Sequence, residues 1–154
     1  MNPRDGQLYV VGLRGWQTNA AKDGGFDRVR YTGKPVAMPV GMKTSGTGIE
    51  LTFSDKLDAE LADDPTSYSI KAADIKWTHG YGTAEYQIGN RGGQQQKGWT
   101  TMKVTGAKLQ ADGKTVKISV DNMQPVHMIE ISVDLETSEG DEIITKLWGT
   151  IHKL

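Results

Sequence analysis

A strict alternation of apolar and polar side chains in two short segments constrains the fold of this chain more than any other feature. In residues 48–54, the apolar Ile49, Leu51 and Phe53 alternate with polar neighbours, and residues 115–120 repeat the pattern. A period of two residues places successive side chains on opposite faces of a strand, so one face of each segment is expected to be buried. The chain is therefore predicted to be built from half-buried strands.

Further segments with strand character are separated by turns rich in glycine, proline and aspartate. Two of these segments precede a predicted linker, the Gly-Lys-Pro sequence at 33–35. They lie at 8–11 and 26–31 and are joined by a long loop that carries Trp16. Many short strands separated by turn signals favour an antiparallel sandwich. Eight strands are predicted after this linker, at 36–43, 48–53, 68–78, 85–88, 101–109, 115–120, 126–135 and 143–152.

The alternation also predicts which side chains form the core. Phe53, Val116 and Ile118 are expected to point inward, as are Ile129 and Ile131. The last two share a face with His127, so either that histidine is buried or the even-numbered residues of the strand point inward. Two large aromatic residues, Trp77 and Tyr86, are also expected to lie in the core.

Composition and charge exclude several function classes. Lys plus Arg number 18 against 19 for Asp plus Glu, so the net charge is -1 and a nucleic-acid partner is not expected. No apolar run approaches the ~20 residues of a membrane helix, and no membrane partner is predicted. The absence of cysteine excludes disulfides, thiolate nucleophiles and iron–sulfur clusters in this sequence.

The candidate metal ligands favour structural roles. His79, His127 and His152 are far apart and lack a second ligand at metal-binding spacing. A short helix is predicted at Leu57–Ala62, with Asp55 or Asp58 as its cap. Capping and turn roles are expected for the whole acidic group, since it lacks the spacing of a calcium loop: Asp55, Asp58, Asp63 and Asp64. No metal, cofactor or catalytic residue is predicted.

An aromatic and amide-rich region is the best candidate for binding. Flat rings next to amide side chains suit a sugar ring or a partner protein. The low-complexity loop 89–98 is too polar to bury itself and is expected to be mobile. The predicted ligand-binding residues are Trp99, Tyr81, Gln94, Gln95 and Gln96.

Three motifs support a resemblance to a known family. Residues 51–54 read Leu-Thr-Phe-Ser, a Leu-Asp corner follows at 57–58, and residues 112–116 form an Asp-Gly-Lys-Thr-Val hairpin. With these motifs, residues 35–154 resemble a bacterial immunoglobulin-like domain of the kind found in surface-layer and secreted proteins. The resemblance implies an all-β fold: an immunoglobulin-like antiparallel β-sandwich at 35–154 with an N-terminal β-hairpin extension at 1–34.

The N-terminal part resembles a different family. Residues 5–11 read Asp-Gly-Gln-Leu-Tyr-Val-Val and residues 27–33 read Asp-Arg-Val-Arg-Tyr-Thr-Gly. They look like the last blade of a β-propeller from a quinoprotein sugar dehydrogenase. The combination is similar to the C-terminal region of planctomycete-type secreted proteins that join such a propeller to cytochrome c modules. This resemblance implies an extracytoplasmic location, periplasmic or secreted.

The sequence therefore predicts a non-catalytic accessory or interaction module of a large extracytoplasmic protein, and neighbouring domains of that protein as its partners. One alternative is a carbohydrate-binding module that uses exposed aromatic residues, with polysaccharide as its ligand. Another is a C-terminal fragment that completes a quinoprotein sugar dehydrogenase. No Cys-x-x-Cys-His segment is present in the sequence, which weighs against a redox role for this piece.

Overall fold

The alternating segments form antiparallel strands in the part of the chain that the computed structural model describes, residues 2–13, 24–89 and 92–154. The chain divides into two units, Met1–Pro35 and Val36–Leu154. The prediction of an all-β protein with antiparallel sheets is confirmed. Whether the two units are independent domains, divided at residue 34 or 35, stays a prediction.

The first unit is a two-stranded antiparallel sheet of β1 (Leu8–Leu13) and β2 (Gly24–Val29). The rings of Tyr9 and Phe26 stack with their centroids 5.4 Å apart. Most apolar side chains of this unit are exposed, and two strands are marginal in water without further packing. Trp16 lies outside the described residues.

The second unit is a sandwich of two sheets. One sheet has the strand order β3-β4-β9-β8, and the other has the order β11-β10-β5-β6, with β7 also paired to β5. These two orders match those of immunoglobulin-type sandwiches. In that architecture one sheet has the strand order A, B, E, D and the other has the order G, F, C. The elements are β3 (Pro39–Ser45), β4 (Gly48–Phe53), α1 (Ala59–Asp63), β5 (Tyr68–Ile75), β6 (Glu85–Tyr86), β7 (Thr100–Met102), β8 (Val104–Leu109), β9 (Thr115–Val120), β10 (Val126–Glu136) and β11 (Glu142–Ile151).

The core lies between the two sheets. Its side chains come from the inward face of the alternating strands, as the period of two predicts. The inward pattern is clearest in β4 and β9, where register pairs Ile49 with Ile118 and Leu51 with Val116. The five core residues predicted from the alternation are all buried: Phe53, Val116, Ile118, Ile129 and Ile131.

A β-bulge in β10 resolves the ambiguity about His127. The pairing with β11 shifts between Val126 and Ile129, and such a bulge places one extra residue in the strand. Val126 and Ile129 are both buried, and His127 is exposed between them. The histidine therefore points outward although the odd-numbered residues after it point inward.

The predicted strand at 101–109 is two strands in different sheets. β7 pairs with β5, whereas β8 pairs with β9 in the opposite sheet. The chain crosses between the sheets at Lys103, whose carbonyl accepts a bond from the Asp121 N–H at 3.0 Å. This crossing accounts for the ninth described strand after residue 35, where the sequence predicts eight.

Asp58 and Asp64 cap helical turns in the second unit, as predicted, whereas Asp63 contacts β8. Asp58 caps α1 by accepting the Leu61 N–H at 2.9 Å, and Asp64 accepts the N–H and the hydroxyl of Thr66. Asp63 accepts the Leu109 N–H at 2.6 Å and forms an ion pair with Lys108. The helix begins two residues later than predicted and extends to Asp63.

Asp63 and Asp112, which accepts the N–H groups of Lys114 and Thr115 in the turn before β9, predict a loss of stability in acid. Bonds from the Leu109 N–H and from Lys108 lower the pKa of Asp63, and bonds from the N–H of Lys114, the hydroxyl of Thr115 and the N–H of Thr115 lower the pKa of Asp112. Unfolded aspartate has a pKa of about 3.9. The folded state therefore binds fewer protons, and this stabilisation, present above about pH 4, is lost as the pH falls through the lower folded values.

Urea titrations at about pH 6 and about pH 3 measure this effect as a lower unfolding midpoint in acid. The variant Asp112→Asn should show a smaller difference between the two pH values than the unmodified chain. An equal difference in both proteins would show that the Asp112 turn does not contribute.

Candidate functional site

The candidate binding surface lies on the loops that follow β5. β5 ends at Ile75, and the chain pairs with the sheet again at Glu85 in β6 and at Thr100 in β7. Trp77 is 98% exposed and Tyr81 is fully exposed. A tryptophan side chain in water leaves a large apolar area uncovered, so these two rings are available for a partner.

A short ladder anchors the surrounding loop. β6 pairs with the end of β5, placing Glu85 opposite Ile75. Tyr86 bridges to Lys97, and the Gln87 N–H donates to the Gln96 carbonyl at 2.8 Å. These backbone bonds continue the sheet beyond β5 and join the segment after Tyr86 to the segment that begins at Gln96.

Side chains add to this anchoring. The Lys76 ammonium lies 4.5 Å from the centre of the Tyr86 ring, a cation–π contact. The Gln95 side-chain amide donates to the Gln87 carbonyl at 3.1 Å. Tyr86 is half-buried by these neighbours and is not a core residue.

The expectation that Trp77 lies in the core is wrong. Trp77 follows an alternating segment, but β5 stops at Ile75, two residues earlier than Trp77. The sequence signal that could have shown this is the run from Lys76 to Gly82, which has polar and glycine residues typical of a turn. Trp77 is therefore the large exposed aromatic residue of this surface that the sequence analysis did not place there.

The predicted site residues fall into two groups. Tyr81, Gln94 and Gln96 have exposed side chains that remain available for a ligand. Gln95 and Trp99 are half-buried, and the Gln95 side chain is used within the loop. Backbone bonds join Gln96 to Gln87, and the Gly98 N–H donates to the Glu85 carbonyl at 2.9 Å. Whether all five residues act together in binding stays a prediction.

A buried carboxylate positions His127 at the same end of β5. The Asp74 side chain is 3% exposed, and its Oδ1 lies 2.9 Å from His127 Nδ1. The backbone N–H of His127 also donates to this oxygen at 3.3 Å. The pairing satisfies a polar group that faces the core, where an unpaired carboxylate would be costly. It also fixes the exposed ring at the β10 bulge.

Within residues 2–13, 24–89 and 92–154, no group of three or more His, Asp or Glu side chains is arranged to hold a metal ion. Helices in the same ranges are all too short and polar to cross a lipid bilayer. No protein family, curated protein or solved structure matches the chain.

Proposed function

We propose that this protein is a non-catalytic interaction module that presents the rings of Trp77 and Tyr81 to a partner protein. The observation that carries the proposal is the nearly complete exposure of both rings. Aromatic residues are enriched at protein interfaces, where they bury a large area at a low cost in side-chain entropy.

The surrounding structure supports recognition by these rings. Lys76 is engaged with Tyr86, so the residue beside Trp77 is held in place. The pairing of β6 with β5 fixes the base of the loop. Less backbone conformational entropy is therefore lost when a partner binds. Neighbouring domains of a larger extracytoplasmic protein are the proposed partners. Both this role and the location rest on the sequence resemblance alone.

Carbohydrate binding is the second candidate function. Tyr81 offers a flat exposed ring, and Gln94 and Gln96 offer exposed amides that can bond to sugar hydroxyls. A titration of soluble polysaccharides, followed by tryptophan fluorescence, separates the two candidates. A response to a polysaccharide that is lost in Tyr81→Ala would favour the sugar ligand.

Combined replacement of Trp77 and Tyr81 by alanine is expected to weaken partner capture at least about tenfold, because exposed aromatic residues dominate interface energetics. The measurement compares proteins captured by the unmodified and double-variant chains from the source organism, quantified by mass spectrometry. The melting temperature should remain unchanged, since neither ring packs in the core.

Tyr31→Ala is the matched control, since Tyr31 is a strongly exposed aromatic residue of the first unit. A partner that binds the proposed surface is retained by this control and lost by the double variant. Equal capture by all three proteins would refute the assignment of the surface.

A further inference from the structure

The free edge of β11 differs from the other strand edges of the second unit. β8 is covered by Asp63, which takes the Leu109 N–H, and β3 begins with Pro39 and a bulge before Gly41. Proline, bulges and covering side chains all prevent an edge from pairing with another strand. β6 and β7 are two and three residues long.

β11 has none of these protections. It spans ten residues, Glu142–Ile151, and contains no proline. Its register with β10 is continuous from Ile129↔Gly149 to Glu136↔Glu142. In the described ranges β10 is its only pairing partner, so the backbone groups on its other side form a long, regular row that can accept a further strand.

Apolar side chains line this edge. Ile144 and Trp148 are each 65% exposed on the outward face of β11. A groove of about 510 Å³ lies between β11 and residues 37–39, the segment that leads into β3. Leu147, which packs against the core, remains only partly buried in this groove. The sandwich is thus open along β11, where a strand with apolar side chains could pack.

The side-chain pattern indicates what the occupant is. Five residues of β11 point outward, and their order is the same from either end. A central lysine has an apolar residue on each side of it and a polar residue beyond each apolar one: Glu142, Ile144, Lys146, Trp148 and Thr150. A strand with such a pattern matches its own reverse in antiparallel pairing, as a two-fold interface requires, and the only like charges that meet are the two lysines at its centre.

We propose that β11 pairs with β11 of a second copy of this chain, antiparallel and about a two-fold axis at Lys146, so that two sheets join into one continuous sheet. Ile144 of each copy then lies opposite Trp148 of the other, an aromatic and β-branched pair that stabilises neighbouring strands. Thr145 lies opposite Leu147 on the inner face.

Each of the two lysines at the axis has a carboxylate partner within its own copy of the chain. Lys146 Nζ lies 3.3 Å from Glu130 Oε1, and Trp148 Nε1 donates to Glu130 Oε2 at 3.2 Å. Partial desolvation opposes ionisation of Glu130, but the bonds from Lys146 and Trp148 bring its net pKa below the usual value. Each copy therefore supplies its own negative charge beside the axis. This surface is separate from the Trp77 and Tyr81 rings, so each proposal can fail without the other.

Sedimentation equilibrium from about 1 µM to about 200 µM protein tests the pairing. The unmodified chain should form a concentration-dependent dimer. Ile144→Lys and Trp148→Lys should each weaken the dimer at least about tenfold, because they place a charge opposite an apolar side chain. The control is Val40→Lys on β3, where Val40 is 61% exposed beside the protected edge, and it should leave the dimer unchanged.

Crosslinking locates the axis. Because the chain has no cysteine, Lys146→Cys introduces one thiol that would face its own copy across the axis, within the reach of a disulfide. Thr150→Cys places two thiols about 25 Å apart in the same dimer. Oxidation should therefore yield a covalent dimer for the first variant and not for the second. A monomer at every concentration, a dimer that Trp148→Lys leaves intact, or equal crosslinking at both positions would overturn the proposal.

Discussion

Replacing Gly48 by alanine is expected to destabilise the protein by at least about 3 kcal/mol. Gly48 begins β4 at φ +155°, and a Cβ built there overlaps the carbonyl oxygen of Ile118 and lies 3.1 Å from the Ser119 Cα. Both are backbone atoms of the neighbouring central strand, so no side-chain rotation relieves the overlap. The two strands must separate or the β3–β4 hairpin must change its register.

Gly46→Ala provides the control for this prediction. Gly46 lies in the same hairpin, and its added Cβ meets no atom within 4 Å. The free energy of unfolding, measured by urea titration, should change by less than about 1 kcal/mol in this variant. Equal stabilities of the two variants would show that the close approach of β4 and β9 at Gly48 is not required.

Truncation of Phe53 to alanine is expected to cost about 3–5 kcal/mol, because the cavity left by a buried phenylalanine is only partly refilled. Phe53 is 1% exposed at the end of β4 and belongs to the core cluster between the sheets. The same titration measures the loss.

The only other phenylalanine offers a matched comparison. Phe26 is 71% exposed and stacks on Tyr9 in the first unit. Phe26→Ala should cost less than about 1.5 kcal/mol, the range of an aromatic pair. A loss at Phe53 no larger than the loss at Phe26 would contradict the core assignment.

The core residues could be predicted because a strand that buries one face has apolar side chains at every second position of its sequence. Phe53, Val116 and Ile118 alternate with polar residues, and each is buried. The capping roles of Asp58 and Asp64 could also be predicted from the sequence. Each directly precedes a helical segment whose first N–H groups need a hydrogen-bond acceptor.

Other features depend on contacts between distant segments. The outward position of His127 comes from a bulge that only the pairing with β11 defines. The crossing at Lys103 depends on which sheet each half of the apolar run joins, and both halves have strand character. A periodic pattern tells which side chains share a face, but it does not tell which sheet that face covers.

The candidate site was only partly predictable for the same reason. Tyr81 lies among glycines, and its exposure follows from the local sequence. Trp77 directly follows a buried strand, and its exposure depends on where β5 ends. Ile75 pairs with Glu85 at this end of the strand, and the local signal for the end is the run of polar and glycine residues from Lys76 to Gly82.

The separation of the exposed rings from the core has a consequence for how such a protein can diversify. Trp77 and Tyr81 lie between the end of β5 and the start of β6, and neither ring is part of the core cluster. Substitutions in these rings change the surface without opening a cavity. Natural selection can therefore vary this exposed surface while the determinants of folding stay constant.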